Sequence, residues 1–110
     1  MKNSIVSFGI CIILFHMKFD WNPNKAAQNL KNHQVSFDEA ATVFDDDLSV
    51  AFFDPDHSDT EDRYVIIGMS KENRLLLVAH TDRGDYVRII SARELTNKER
   101  KAYESGHSSQ

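Results

Sequence analysis

Three runs of β-branched and aliphatic residues follow one another in the second half of the chain: Arg63–Met69 (RYVIIGM), Arg74–Thr81 (RLLLVAHT) and Tyr86–Arg93 (YVRIISAR). The links between them, Ser70–Asn73 and Asp82–Asp85, are short and polar. Links of this length suit hairpins, so the runs are expected to form an antiparallel meander. Leu48–Asp54 reads as a further strand before them, and Lys18–Trp21 alternates as a short first one.

Helix signals fill the rest. Asn22-Pro23 places a good N-cap before a proline, which loses no hydrogen bond at the first helical position. A helix is predicted over residues 23–32, with Ala26, Ala27 and Leu30 facing inward. Ser36-Phe37-Asp38-Glu39 is a capping box. The helix it opens carries Phe37, Ala40, Ala41 and Phe44 on one face and ends at Asp45-Asp46-Asp47. Thr96-Asn97-Lys98-Glu99 is a second capping box, opening a final helix to about Glu104. The predicted order is β-α-α-β-β-β-β-α. This is an α+β architecture: a small antiparallel sheet of about four to five strands, two N-terminal helices on one face and a C-terminal helix.

A chain of 110 residues accommodates one such domain. With 41% apolar residues it is too hydrophobic for a disordered protein. The single cysteine, Cys11, excludes an intrachain disulfide framework, so a reducing compartment is the default. Residues 1–16 differ in character from the rest of the chain. Ile5–Phe15 is nearly all apolar but too short to span a bilayer and lacks a small-residue cleavage site. The segment reads as a dispensable extension or a misassigned start, with an export signal or an extra element as alternatives. The domain proper is expected over residues 17–104, with 105–110 as a frayed tail.

The formal net charge is −4, from 13 Lys+Arg against 17 Asp+Glu, which argues against a protein that coats nucleic acid. That figure hides a strong asymmetry. Residues 38–62 contain ten acidic side chains and no lysine or arginine, whereas residues 63–101 contain nine basic and five acidic ones. Arg63, Arg83, Arg88 and Arg93 lie in or beside strands, where a sheet fixes their positions. Either they decorate a solvated face, or they form an anion site in which guanidinium grips phosphate through paired hydrogen bonds.

Several stretches carry a more specific signal: Phe19–Lys25 (FDWNPNK), Asn29–Ala40 (NLKNHQVSFDEA), Asp54–His57 (DPDH), Arg63–Gly68 (RYVIIG), Val87–Arg93 (VRIISAR) and Lys98–Glu104 (KERKAYE). In this order and spacing the chain resembles the BrnT toxin family over residues 17–104. Gln34 departs from the pattern, since the family usually has Gly there. A left-handed conformation at Gln34 would come at a cost. The resemblance implies a RelE-like fold and a type II toxin–antitoxin system. It also implies an endoribonuclease that cuts RNA and stops translation. The implied partner is a BrnA-like protein antitoxin that carries the operator-DNA-binding domain. With it come a hetero-oligomer, no membrane association and a bacterial cytoplasmic setting. A catalytically degenerate module that only scaffolds such an antitoxin is the alternative.

RNA supplies its own nucleophile, the 2′-OH. A metal-free nuclease needs a base for that proton, an acid for the leaving 5′-oxygen and cations for the developing charge. His80, near a strand end, is the leading proton-transfer candidate by chemistry. Whether it shares a face with Arg88 depends on hairpin register, which the sequence leaves open. Arg63, Arg88 and Arg93 are the candidate phosphate contacts, alongside Arg83. Lys25 and His33 lie two turns apart on the first helix and form a candidate RNA-facing pair, the other reading being a solvated Lys25 and a helix-capping His33. Tyr103 is a candidate base-stacking residue or acid, the other reading being a core residue. No cofactor is expected. Asp45–Asp47 and Asp54-x-Asp56-His57 lack a zinc or calcium spacing and read as helix-stop and turn residues.

Overall fold

The computed structural model describes residues 17–108. The expectations for residues 1–16, with Cys11, and for Ser109 and Gln110 lie outside the described residues. Five strands, β1 (Lys18–Asp20), β2 (Val50–Phe53), β3 (Arg63–Met69), β4 (Leu75–Arg83) and β5 (Tyr86–Glu94), form one sheet in the order β1-β5-β4-β3-β2. β3, β4 and β5 form the antiparallel meander that their short links demand, and β2 pairs antiparallel with β3 across a longer loop. β1 pairs parallel with β5, so the sheet is mixed rather than wholly antiparallel. Helices α1 (Pro23–His33) and α2 (Phe37–Thr42, followed by a 3-10 turn over Val43–Asp45) intervene between β1 and β2, and α3 (Asn97–Ser108) follows β5. α3 runs past the expected end at Glu104.

The caps behave as local chemistry dictates. The Asn22 side chain accepts from the backbone N–H groups of Asn24 (2.8 Å) and Lys25 (3.2 Å). Thr96 and Glu99 close a reciprocal capping box at α3: Thr96 Oγ1 accepts from Glu99 N–H at 3.2 Å, and Glu99 Oε1 accepts from Thr96 N–H at 2.9 Å. At α2 only half of the box forms. Ser36 Oγ accepts from Glu39 N–H at 3.0 Å, while the Glu39 carboxylate turns away to Arg74 and to Ser70 (2.6 Å). Arg74 also reaches the Gln34 carbonyl at 2.9 Å, tying the α1–α2 corner to the start of β4. Gln34 sits in the left-handed region (φ 57°, ψ 33°), the conformation its position demands.

Val35, Phe37, Ala40 and Val43 pack on Ile66, Leu76, Val78, Ile89 and Ala92 of the sheet, forming the core. α1 meets this core differently from the expectation. Ala26 is half-buried, but Ala27 and Leu30 are exposed, and the inward position belongs to Asn29. Its amide donates to the Val35 and Ala92 carbonyls (2.9 Å each) and accepts from Ala92 N–H (3.0 Å), so its buried polarity is matched. Gly68 lets the α2–β2 connection press on β3: a Cβ there would lie 2.9 Å from Ser49 Cβ and 3.0 Å from Val43 Cγ1.

One irregularity orders the sheet's open face. β5 pairs regularly with β4 up to Ala79↔Ser91, then resumes at His80↔Ile89, leaving Ile90 as an extra residue. From there the register places Arg63, Thr81, Arg88 and Asp20 side by side across four strands, on the side away from the core. Arg83, two residues beyond Thr81, faces the same way.

Candidate functional site

Arg63, Thr81 and Arg88 of this row form the floor of a pocket of ≈ 190 Å³ at one end of the open face. Arg83 lies beside it, Asn22 and Lys25 close one wall from the start of α1, and His57 and Glu61 close another from the β2–β3 loop. The α1 cap thus has a second consequence: by fixing the helix start at Asn22, it sets Lys25 at the pocket rim.

The pocket is strongly cationic, and two of its guanidiniums have carboxylate partners. Arg83 donates to both oxygens of Glu61 (2.8 and 2.9 Å), and Arg88 donates to Asp20 at 3.1 Å. The Arg83 hydrogen bonds hold the Glu61 carboxyl below the usual carboxylate range, with further attraction from Arg88 and Arg63. Glu61 and the three guanidiniums line one pocket. Among the described residues, Arg63 and Lys25 make no ion pair. Thr81 is 2% exposed, and its buried hydroxyl has no hydrogen-bond partner among the described residues. An unmatched buried hydroxyl is rare in a native fold, and this one lies among guanidiniums. The chemistry of the pocket is that of an oxyanion receptor: fixed donors, a positive field and a small concavity.

The residues singled out from sequence separate into four places. Lys25, Arg63, Arg83 and Arg88 converge on this pocket. Arg93 and His33 meet at a different, shallow depression near the end of α1. Arg93 is held there by Glu99 through two hydrogen bonds (2.8 and 3.0 Å), which draw the Glu99 carboxyl down to about 2. Five residues separate Arg93 from Arg88, roughly 15 Å at the usual strand rise. Lys25 and His33, at opposite ends of α1, therefore serve different surfaces rather than one. Tyr103 lies on α3 in an apolar groove with Leu48, Val50, Phe52 and Ile67, and its hydroxyl donates to the Leu48 carbonyl at 3.1 Å.

His80 is on the helix-facing side. It pairs across the sheet with Tyr64 and Ile89, is 8% exposed, and packs against Phe44 with ring centroids 4.9 Å apart. Burial pushes its imidazole below the usual histidine range, so the ring is held neutral. The sheet itself stands between His80 and Arg88, because the register places Thr81, not His80, on the arginine side.

Sequence reasoning passes over His57, Thr81, Glu61 and Asn22 as site residues. His57 and its neighbour Asp54 are turn residues, as expected, but the turn overhangs the pocket. Thr81 gives no signal as a lone threonine within an apolar run. Among the described residues, no three His, Cys, Asp or Glu side chains converge as a metal site, and no helix is long and apolar enough to cross a membrane.

A family model described as ribonuclease toxin, BrnT, of type II toxin–antitoxin system matches residues 21–99. Among solved structures, the crystal structure of the Brucella abortus ribonuclease toxin BrnT is similar to this chain. The TM-score is 0.55 at 21% sequence identity, over 74% of this chain and 100% of that one. At that identity the likeness speaks for the fold. No curated protein matches the chain.

Proposed function

Because the chain belongs to the BrnT ribonuclease toxin family of type II toxin–antitoxin systems, we propose that the cationic pocket is where it cuts RNA, by a metal-independent route. The observation that carries the reading is the convergence of Arg63, Arg83, Arg88 and Lys25 around the unpartnered Thr81 hydroxyl. In this route a ribose 2′-oxygen attacks the adjacent phosphorus. The P–O2′ bond forms and the P–O5′ bond breaks, leaving a 2′,3′-cyclic phosphate and a 5′-hydroxyl. Charge accumulates on the non-bridging oxygens as the phosphorane forms. Guanidiniums fixed by paired strands stabilise that charge without reorganising. Thr81 donates one further hydrogen bond from below. Arg83 exchanges Glu61 for a phosphate oxygen, and Arg88 does the same with Asp20.

A BrnA-like antitoxin is the partner in this reading, operator DNA is reached only through it, and RNA cutting takes place in the cytoplasm. The acidic stretch of residues 38–62 offers a basic partner a complementary surface. The Arg83–Glu61 and Arg88–Asp20 pairs lend some support to a second reading, a scaffold that holds an antitoxin and turns nothing over.

Expression of the full chain alone separates the two. The ribonuclease halts growth and leaves fragments ending in cyclic phosphate, undiminished by EDTA, and Arg88→Ala relieves the arrest. Intact RNA at high protein concentration, with growth unaffected, refutes the ribonuclease and leaves the scaffold.

A further inference from the structure

The pocket floor supplies cations but no group to take the 2′-OH proton, and His80 is on the wrong side of the sheet to do so. We propose that His57 is that group, a general base oriented by Asp54. The inference rests on the RNA-cleaving reading and adds to it the residue that moves the proton.

The β2–β3 loop is built to hold this imidazole. Asp54 N–H donates to the Arg63 carbonyl at 2.8 Å, closing the base of the loop. Ser58 Oγ donates to the Asp54 carbonyl at 2.6 Å and accepts from Arg63 N–H at 3.0 Å, a clip that joins the loop directly to the backbone of a pocket arginine. Between these anchors Pro55–His57 forms a 3-10 turn, with proline at its start. The turn sets His57 against the pocket, and His57 Nδ1 lies 3.0 Å from Asp54 Oδ2. A carboxylate accepts only, so Nδ1 carries a proton, and Nε2 is the ring nitrogen left to accept one. This is the tautomer a general base needs, and a carboxylate behind the ring also stabilises the imidazolium that forms.

The step balances within the substrate and the solvent. His57 Nε2 takes the 2′-OH proton as the 2′-oxygen bonds to phosphorus. The departing 5′-oxygen takes a proton from water, and His57 returns its own proton to solvent. Asp54 contacts this ring, and the charged groups that line the pocket with it are Glu61 from its own loop, Arg63, Arg83 and Arg88 from the sheet, and Lys25 from α1. Glu61 is the competing base on the same wall. It is clamped by both of its oxygens to Arg83 and held below the usual carboxylate range, which suits a counterion better than a proton acceptor.

The test is single-turnover cleavage of a labelled RNA oligonucleotide by the refolded full chain, with binding followed on its uncleavable 2′-O-methyl counterpart. His57→Ala and His57→Gln are expected to slow cleavage by roughly 10²- to 10⁴-fold, the usual worth of a positioned general base. Affinity for the 2′-O-methyl RNA is expected to stay within about twofold, because the lost interaction belongs to the transition state. Added imidazole is expected to restore part of the His57→Ala rate. Asp54→Asn, which favours the opposite tautomer, is expected to lower the rate and move the acid limb of the pH–rate profile while leaving binding intact. The proposal is overturned if both His57 variants cleave at the wild-type rate, or if Glu61→Gln abolishes cleavage while the His57 variants do not. Wild-type protein that binds this RNA but never cuts it overturns the ribonuclease reading itself, a result distinct from a failure of His57 alone.

Discussion

Asn29 is the most direct place to test how the molecule is held together. Its side chain is the polar rivet between α1 and β5: two donors to the Val35 and Ala92 carbonyls and one acceptor for Ala92 N–H, all at 2.9–3.0 Å and buried. Asn29→Ala removes the rivet and leaves two carbonyls and one N–H without partners in the core. Each stranded group costs about 1–3 kcal/mol. Because the three share one site, water and small shifts relieve part of the sum, and about 3–5 kcal/mol is expected. A domain of this size has a total stability of about 5–14 kcal/mol, so the variant loses a large share of it. Urea unfolding at pH 7 reads this directly. With a slope of about 2 kcal/mol per molar, the midpoint falls by about 2 M at constant slope. Asn32→Ala, an exposed change on the same helix, is the control and stays within about 0.5 kcal/mol of wild type. An Asn29→Ala loss below about 1 kcal/mol would refute the reasoning, since it would mean the three backbone groups find equally good partners without the amide.

Four further outcomes are expected from the open face and the core. Arg88→Ala is expected to slow RNA cleavage by roughly 10²- to 10³-fold and to flatten the salt dependence of binding. Arg93→Ala, at the far end of β5, is expected to leave cleavage nearly intact and lower the thermal midpoint by loosening α3; equal cleavage defects in the two variants would contradict the separation of the two arginines. Glu61→Gln frees Arg83 from its carboxylate and is expected to tighten binding of uncleavable RNA, with a steeper salt slope; weaker binding would show that Glu61 positions Arg83 rather than competing for it. His80 is neutral in the folded protein, while an unfolded chain protonates it near pH 6.5. The unfolded state therefore binds more protons below that pH, and stability falls as pH drops through it. Denaturation midpoints at pH 7.5 and 5.5 should show this decline, and His80→Phe should reduce it; an unchanged decline would place its origin elsewhere.

Much of this molecule is written locally, and what is local is legible. Asn22-Pro23, the Ser36 cap and the Thr96/Glu99 box each announce a helix start through atoms a few residues apart. The β3–β5 meander is equally plain, because its two links are too short for anything else. Non-local features are not legible. Nothing in Lys18–Asp20 says that it pairs parallel with β5. Nothing in the Ser36–Glu39 box says that an arginine 35 residues away takes its glutamate. Asn29 occupies the inward position of α1 because three backbone groups await it there, a reason invisible to a pattern that ranks residues by apolarity. The candidate site divides along the same line. Arg63, Arg83 and Arg88 announce themselves as cations on strands. His80 is the most reactive side chain by type, but its face is set by the register of a pairing. His57 looks like ordinary turn chemistry until the fold carries the turn over the pocket.

The extra residue at Ile90 has a wider consequence. Positions five apart on a regular strand point in opposite directions, yet Arg88 and Arg93 emerge on the same side, and Ile89 and Ala92, three apart, both reach the core. A single inserted amino acid thus resets the odd–even alternation midway along β5. It splits the strand into an upstream segment that serves the pocket and a downstream segment that tethers α3. An in-frame deletion of Ile90 would leave every surrounding residue chemically unaltered and still turn one half of the strand inside out.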